Sequence, residues 1–349
     1  MKKILFIDNN QFGYLIDTYS YCLYLKDKYN ITYLCFKKKE KCIDLDNINI
    51  IYVSYKGNKV VRGCRFFLYA IFNMIFFKGF IFVVYFPGFE ILKKILPWKK
   101  MHLDIRTLSV NKDKKERIIH DNRLRYAVKI YDSVSAISRG VISKLGSSKK
   151  IDLLPLGADV ISSSNKSFDS IRLLYIGTLN GRDIIKTVIG FESFIKKHMD
   201  LDVHYDIVGY GKKEYDEIKN YIDFHHLNNY ITLHGYVLHN QLYPFFENNN
   251  IGVSFIPMTE YYDLQPPTKT FEYILSGLYT IATRTQANQE VINENNGCII
   301  NDTPEDFTEA LNQIIERKKK LNSEIIRNSL TNYSWKNIIK NYLIPIINK

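Results

Sequence analysis

At 349 residues, 46% hydrophobic and 24% charged, the chain is long enough for two domains and too evenly composed for a disordered, collagen-like or coiled-coil protein. Its formal net charge of +12 is lopsided: residues 1–165 hold 29 Lys and Arg against 14 Asp and Glu, and the remainder holds 19 against 22. A cationic first half calls for an anionic partner, which leaves nucleic acid, an anionic membrane surface or a phosphorylated substrate.

The opening MKKILFIDNN carries an apolar run of only four residues, too short for the core of a signal peptide, so a cytoplasmic location is expected. Short β-branched and aromatic runs then alternate with helix-period segments, the pattern of parallel sheets with crossover helices. Strands are predicted at 3–8, 31–36, 50–54, 80–86, 102–107, 133–137 and 152–155. A second series follows at 171–177, 203–208, 231–234, 251–256, 279–282 and 298–300. In that second half helices are expected near 183–198, 212–224, 239–247, 268–276, 304–317 and 321–330.

The stretch from Phe66 to Phe89 has the length of a membrane span, but Asn73, Lys78, Gly79 and Pro87 interrupt it. It reads as a helix over about 64–77 followed by a strand, and that helix could still lie against lipid. Gly157 to Ser170 is polar and Ser-rich and reads as an interdomain linker. The pattern implies residues 1–160 as one domain, 161–332 as a second, and 333–349 as a terminal helical segment interrupted by Pro345 that packs back across the hinge. The five cysteines form no C-x-x-C pair and are expected to be reduced packing residues.

Three strand-to-helix turns carry candidate chemistry. In LLYIGTLNGRDI (173–184), Gly177 and Thr178 end a strand and Arg182 precedes a helix; glycine admits a ligand to the backbone, and the guanidinium and helix amides suit a phosphate. In IVGYG (207–211), Gly209 and Gly211 clear space in the same way. In DLQPPTKTFEYILSG (263–277), Pro267 leads in and Thr268 is the expected N-cap. Lys269 and Glu272, three residues apart, share a helix face, pairing a cation for phosphate with a carboxylate for sugar hydroxyls. A plain surface ion pair is the alternative for Lys269 and Glu272. In the first half, Gly13 follows the first strand, and Asp104 and Arg106 end the fifth, where ligands collect in doubly wound sheets; mutual pairing of Asp104 with Arg106 is the alternative there.

The D-x-D triplets Asp44 to Asp46 and Asp200 to Asp202 precede strands instead of ending them, and no histidine pair has metal-ligand spacing, so no metal site is expected. A phosphate-binding P-loop and a nucleophile elbow are both absent from the sequence.

Taken in order, G-T-L-x-x-R at 177–182, I-V-G-x-G at 207–211, I-T-L-H-G-Y-V at 231–237 and P-x-K-x-x-E-Y-x-x-x-G-x-x-x-I-A-T at 267–283 resemble the bacterial GT-B glycosyltransferases, above all their large retaining group, family 4. YDSVSAISRGVISKLG (131–146), LLPLGAD (153–159), NGCIIND (296–302) and YSWKN (333–337) extend the resemblance. It implies an α/β fold of two Rossmann-like doubly wound domains facing across a cleft, with the C-terminal helix crossing back to the first. It implies transfer of a sugar from a UDP- or GDP-linked donor to an acceptor hydroxyl, without metal or cofactor, in capsule, O-antigen or exopolysaccharide assembly. The acceptor would be a glycan or lipid-linked glycan, and the enzyme would sit peripherally at the inner face of the plasma membrane.

By position, Arg182 and Lys269 would neutralise the diphosphate, Glu272 would hold the ribose, Tyr236 and Val237 would meet the base, and Gly13, Asp104 and Arg106 would face the acceptor. The family's first glutamate falls at Leu264, which leaves Asp263 as the substitute carboxylate, and Arg106-Thr107 stand where the family often has His-Asp. A hydrolysing nucleotide-sugar epimerase of the same fold, a non-catalytic member, and a nucleic-acid-binding protein using the basic half are the alternative readings.

Overall fold

The computed structural model describes residues 1–39 and 41–349. The chain divides into two compact units, one formed by Met1–Leu156 with Trp335–Lys349 and the other by Gly157–Ser334. All thirteen predicted strands are present, with ends within two residues of expectation.

The first unit runs β1 (Lys2–Ile7), α1 (Ile16–Leu25), β2 (Tyr29–Lys37), β3 (Ile48–Ser54), α2 (Lys59–Ile75), β4 (Phe80–Val84), α3 (Glu90–Ile95), β5 (His102–Ile105), α4 (Lys114–Ile130), β6 (Ser133–Ala136), α5 (Arg139–Leu145) and β7 (Asp152–Leu153). Its sheet is parallel in the order β3-β2-β1-β4-β5-β6-β7. The central strands are covered on both sides, which is why KKILFI and FIFVV are continuous apolar runs instead of alternating ones. Helix α2 begins earlier than predicted because the side chain of Asn58 accepts the amide of Val61 at 3.0 Å, an N-cap that closes the first turn.

The terminal segment belongs to this unit. It is helical from α13 (Trp335–Ile338) through a wider π turn (Ile339–Leu343) to α14 (Ile344–Ile347). Pro345 lacks an amide, and the π turn just before it lets the helix continue where a regular ladder would lose a bond. Trp335 is buried 5.8 Å from the ring of Tyr21 on α1 and anchors the segment.

The second unit runs β8 (Ile171–Ile176), α6 (Ile185–Lys197), β9 (Val203–Val208), α7 (Lys212–Phe224), β10 (Ile231–Gly235), α8 (Tyr243–Asn248), β11 (Ile251–Ser254), α9 (Thr268–Leu275), β12 (Tyr279–Thr283), α10 (Gln286–Gln289), β13 (Gly297–Ile300), α11 (Pro304–Arg317) and α12 (Ser323–Asn328). Its sheet is parallel in the order β10-β9-β8-β11-β12-β13. The order reverses between β8 and β11, and at such a switch point the loops leaving the strands part and leave room for a ligand.

The Ser-rich stretch 157–170 is not the free linker its composition suggests. The amides of Ile161 and Ser162 donate to the hydroxyl of Ser276, the Ser162 hydroxyl donates to Glu247 at 2.6 Å, and Arg327 donates to the carbonyl of Ser164. Short hydroxyl side chains here fasten a strap onto the second unit, so the boundary lies between Leu156 and Gly157.

Candidate functional site

The second unit gathers the predicted donor residues at the carboxyl end of β8. Tyr175, near that end, donates its hydroxyl to the carbonyl of Thr178 at 2.6 Å, and Tyr273 of α9 accepts the amide of Ile176 at 2.8 Å, so the turn is clamped from both sides. Gly177 has φ of 144°, a conformation open to glycine. A Cβ there would stand 3.1 Å from the Nζ of Lys269.

Gly209, after β9, lies so close that a Cβ would come within 1.9 Å of the Gly177 carbonyl oxygen. Backbone opposes backbone, and neither loop can yield without losing its own bonds. Gly209→Ala is therefore expected to cost about 1–3 kcal/mol, read as a lowered melting temperature, and to open the turn that carries Thr178 to Arg182. An unchanged melting temperature would show that the two loops are not in register. Gly211, further along, faces Asn180 in the same way.

Two cations meet here. The guanidinium of Arg182 lies 4.3 Å above the ring of Tyr262, and its Nη1 is buried without a hydrogen-bond partner. The ammonium of Lys269, in the first turn of α9, lies 3.9 Å above the ring of Tyr175. Burial and then the neighbouring Arg182 push Lys269 well below the usual ammonium range, only partly offset by Glu272. No ion pair links Lys269 to Glu272 among the described residues, so the surface-pair alternative does not hold. Two half-buried positive charges held on aromatic faces, one with an orphaned N–H, suit a polyanion.

Glu272 follows one turn later on the same face of α9 and is 8% exposed. Its carboxylate stands 3.4 Å from Nε2 of His239. The hydrogen bond to Glu272 raises His239 above the usual imidazole range. Burial, and then the charge of Glu272, raise the carboxyl of Asp159. The carboxylate that was expected to hold hydroxyls is thus present, partly buried and accompanied by a proton donor.

One expectation needs correction. Thr268 does not cap α9: the N-cap is Pro267, and Thr268 opens the helix, with no side-chain cap bond. Asp263 is engaged at one carboxylate oxygen: its Oδ1 accepts the amide of Gln286 at 2.8 Å, and its carbonyl accepts that of Ala287. It holds the start of α10. Tyr236 is 73% exposed beside Gly235, whose carbonyl accepts the Gly209 amide, while Val237 packs on the core around Leu242 and Phe246.

In the first unit the three acceptor-side candidates are each held by neighbours within that unit. Gly13, at φ of 83°, lies against the side chain of Ile43. Asp104 is fully buried, accepting the Ser135 hydroxyl at 2.5 Å. Arg106 donates to Asp17 at 2.7 Å and to the carbonyl of Leu154 at 2.8 Å, with its Nε 3.8 Å from Asp104. Mutual pairing was half the answer, and Asp17 of α1 supplies the rest.

Sequence reasoning missed Tyr175, Tyr262, His239 and Asp159. Tyr175 sits within the quoted LLYIG run, where its β-strand setting suggested only core; His239 opens a short 3-10 helix at 239–241, and Tyr262 and Asp159 lie outside helices and strands.

Comparison with known proteins bears on the family and the fold. Residues 170–317 match the family model described as glycosyl transferases group 1. No curated protein matches the chain. Among solved structures, sucrose-phosphate synthase from Thermosynechococcus elongatus superposes with a TM-score of 0.80 at 13% identity, covering 100% of this chain and 98% of that one. Anabaena Alr3699/HepE in complex with UDP and glucose gives 0.76 at 11% identity, with 100% of both chains covered. The lipopolysaccharide outer core galactosyltransferase WaaB gives 0.73 at 15% identity, with 99% of both covered. The fold is that of the GT-B enzymes, two Rossmann-like units in one chain.

Proposed function

We propose that this chain, whose residues 170–317 match the glycosyl transferases group 1 model, moves a glycosyl unit from a nucleoside diphosphate sugar to an acceptor hydroxyl with retention of configuration. The observation that carries this reading is the pair of half-buried cations, Arg182 and Lys269, in no ion pair with a carboxylate among the described residues and set on tyrosine rings beside a glycine turn. HepE was solved with UDP and glucose, and a UDP- or GDP-linked donor fits the present site for the same chemical reason.

As the bond from the anomeric carbon to the diphosphate oxygen breaks, negative charge grows on that oxygen while the acceptor oxygen forms the new bond to the anomeric carbon and passes its proton to the departing diphosphate. Fixed cations aimed at the diphosphate lower the energy of that state more than that of the bound donor. Glu272 takes the ribose hydroxyls, with His239 as its neighbour, and Tyr236 and Val237 flank the base. No metal is required, because the two side chains supply the positive charge. The acceptor is a glycan or lipid-linked glycan in cell-surface polysaccharide assembly, and the basic first half holds the enzyme at an anionic membrane.

The test is a thermal-shift and calorimetric titration with UDP, GDP and their sugars in the absence of metal. A nucleoside diphosphate should raise the melting temperature. Burial and Arg182 oppose the charge on Lys269 and a diphosphate favours it, so binding should draw a proton onto Lys269 at any pH where that group is incompletely ionised in the free protein. Titration in buffers of different ionisation enthalpy reads that uptake, and Lys269→Met should abolish it. Stabilisation by none of these nucleotides would refute the donor site. Hydrolysis of the donor without acceptor, at the same rate as with it, would favour the epimerase alternative.

A further inference from the structure

Helix α2 turns Phe66, Ala70 and Met74 into the core of the first unit. Its opposite side carries Val61, Leu68, Phe72 and Ile75, with Phe76 just beyond, and Leu68, Phe72 and Phe76 are 67%, 70% and 78% exposed. At about 100° per residue these five fall within an arc of roughly 100°. The charged residue in that arc, Arg65, folds back onto the carbonyls of Ser54 and Lys56. A surface helix ordinarily shows polar residues to water, and a contiguous apolar stripe marks a place of contact.

Cations frame the stripe. Residues 56–100 contain nine Lys and Arg and a single acid, Glu90, whose carboxylate is engaged by the amide of Gly88. Lys99 donates to the carbonyl of Phe77 at 3.1 Å, which brings Lys99 and Lys100 to the end of the helix beside Lys78. Trp98, in the same loop, is 69% exposed.

A 17-residue helix of this kind lies along a bilayer instead of crossing it, and no helix among the described residues is long and apolar enough to cross. A second copy of the chain is a poor occupant, because a two-fold pairing would set like cations against one another. Anionic headgroups do the opposite.

We propose that the stripe from Val61 to Phe76 inserts its side chains into the interface of an anionic bilayer, with Lys78, Lys99 and Lys100 on the headgroups. This rests on the reading that the enzyme works at such a membrane, and it assigns the face. Within this helix Phe66 is core, and Leu68, Phe72 and Phe76 are the outward residues.

The full chain is tested by co-sedimentation with vesicles of phosphatidylcholine alone and with phosphatidylglycerol, at about 0.1 M and about 1 M salt. Wild type should bind the anionic vesicles and remain partly bound at high salt. Leu68→Ser with Phe72→Ser should cut partition about 10²-fold, and Lys78→Glu with Lys100→Glu should remove the preference for anionic lipid. Both pairs are exposed, so melting temperature and the UDP-induced shift should stay unchanged. Because Trp335 is buried, a blue shift of tryptophan emission on adding vesicles reports Trp98 entering the interface.

A serine pair that binds as wild type does, with salt releasing both, would leave the membrane reading intact and overturn this face. Wild type that sediments with neither vesicle overturns both, while the UDP titration decides glycosyl transfer separately. A wild-type dimer that the serine pair makes monomeric would turn the stripe into a self-interface and overturn the proposal.

Discussion

Lys269→Met is expected to lower turnover about 10²- to 10³-fold, roughly 3–4 kcal/mol, while raising the melting temperature of the ligand-free protein. The two effects share one cause. The ammonium sits on the ring of Tyr175 with Arg182 nearby and no carboxylate in ion-pair contact among the described residues. Without a diphosphate, burial and repulsion both oppose its charge, so methionine, which keeps the packing on the ring, relieves a cost. With a diphosphate, that charge is what the leaving group needs. A residue whose removal stabilises the protein and disables it is spending folding energy on a site.

Arg182→Met should lose turnover on the same scale. The double variant should lose little more than the larger single effect, since both groups act on one anion. Turnover and thermal shift with and without UDP check the set. Turnover within tenfold of wild type in both single variants would remove the assigned roles.

How much of this could be read from the sequence depended on how local the signal was. Runs such as IRLLYI and YTIAT declare buried parallel strands by their β-branched and aromatic content, and both sheets followed. Lys269 and Glu272 were legible because a helix puts residues three apart on one side. The surroundings of Asp104 and Arg106 were not legible, for the converse reason. These residues are two apart on a strand and so share a side, but whether that side meets solvent depends on Asp17, distant in the chain and close in space. The strap at 157–170 misled because Ser-rich composition describes a free linker and a hydrogen-bonded one equally well; only Ser276, Glu247 and Arg327 distinguish them. Asp263 likewise shows its purpose only when the start of α10 is folded against it.

Arg106→Met is expected to destabilise the protein by about 3–5 kcal/mol at pH 8, roughly a 10 °C fall in melting temperature, and by clearly less at pH 5. The guanidinium is the cation for two buried carboxylates, in direct contact with Asp17 and 3.8 Å from Asp104. Burial already raises Asp104 to about 6 although Arg106 and the Ser135 hydroxyl pull the other way, and Asp8 behind it is likewise raised to about 6 by burial. An acid whose folded pKa lies above its unfolded one holds its proton more firmly when folded. Its contribution to stability therefore shrinks as pH rises from about 4 through 6. Without Arg106 the pKa of Asp104 moves higher still, so the penalty is largest where the carboxyls must ionise and is relieved where they can keep their protons. The second unit offers an internal contrast. Burial opposes ionisation of Asp206, but hydrogen bonds from His204, His234 and Asn249 overcome it and bring the carboxyl to about 2, so that its contribution is lost only as pH falls from about 4 towards 2. It is silent between pH 5 and 8. A melting difference between wild type and Arg106→Met that is the same at both pH values would mean that Asp104 does not depend on the guanidinium for its charge; a difference that widens with pH identifies the buried Asp104 as its source.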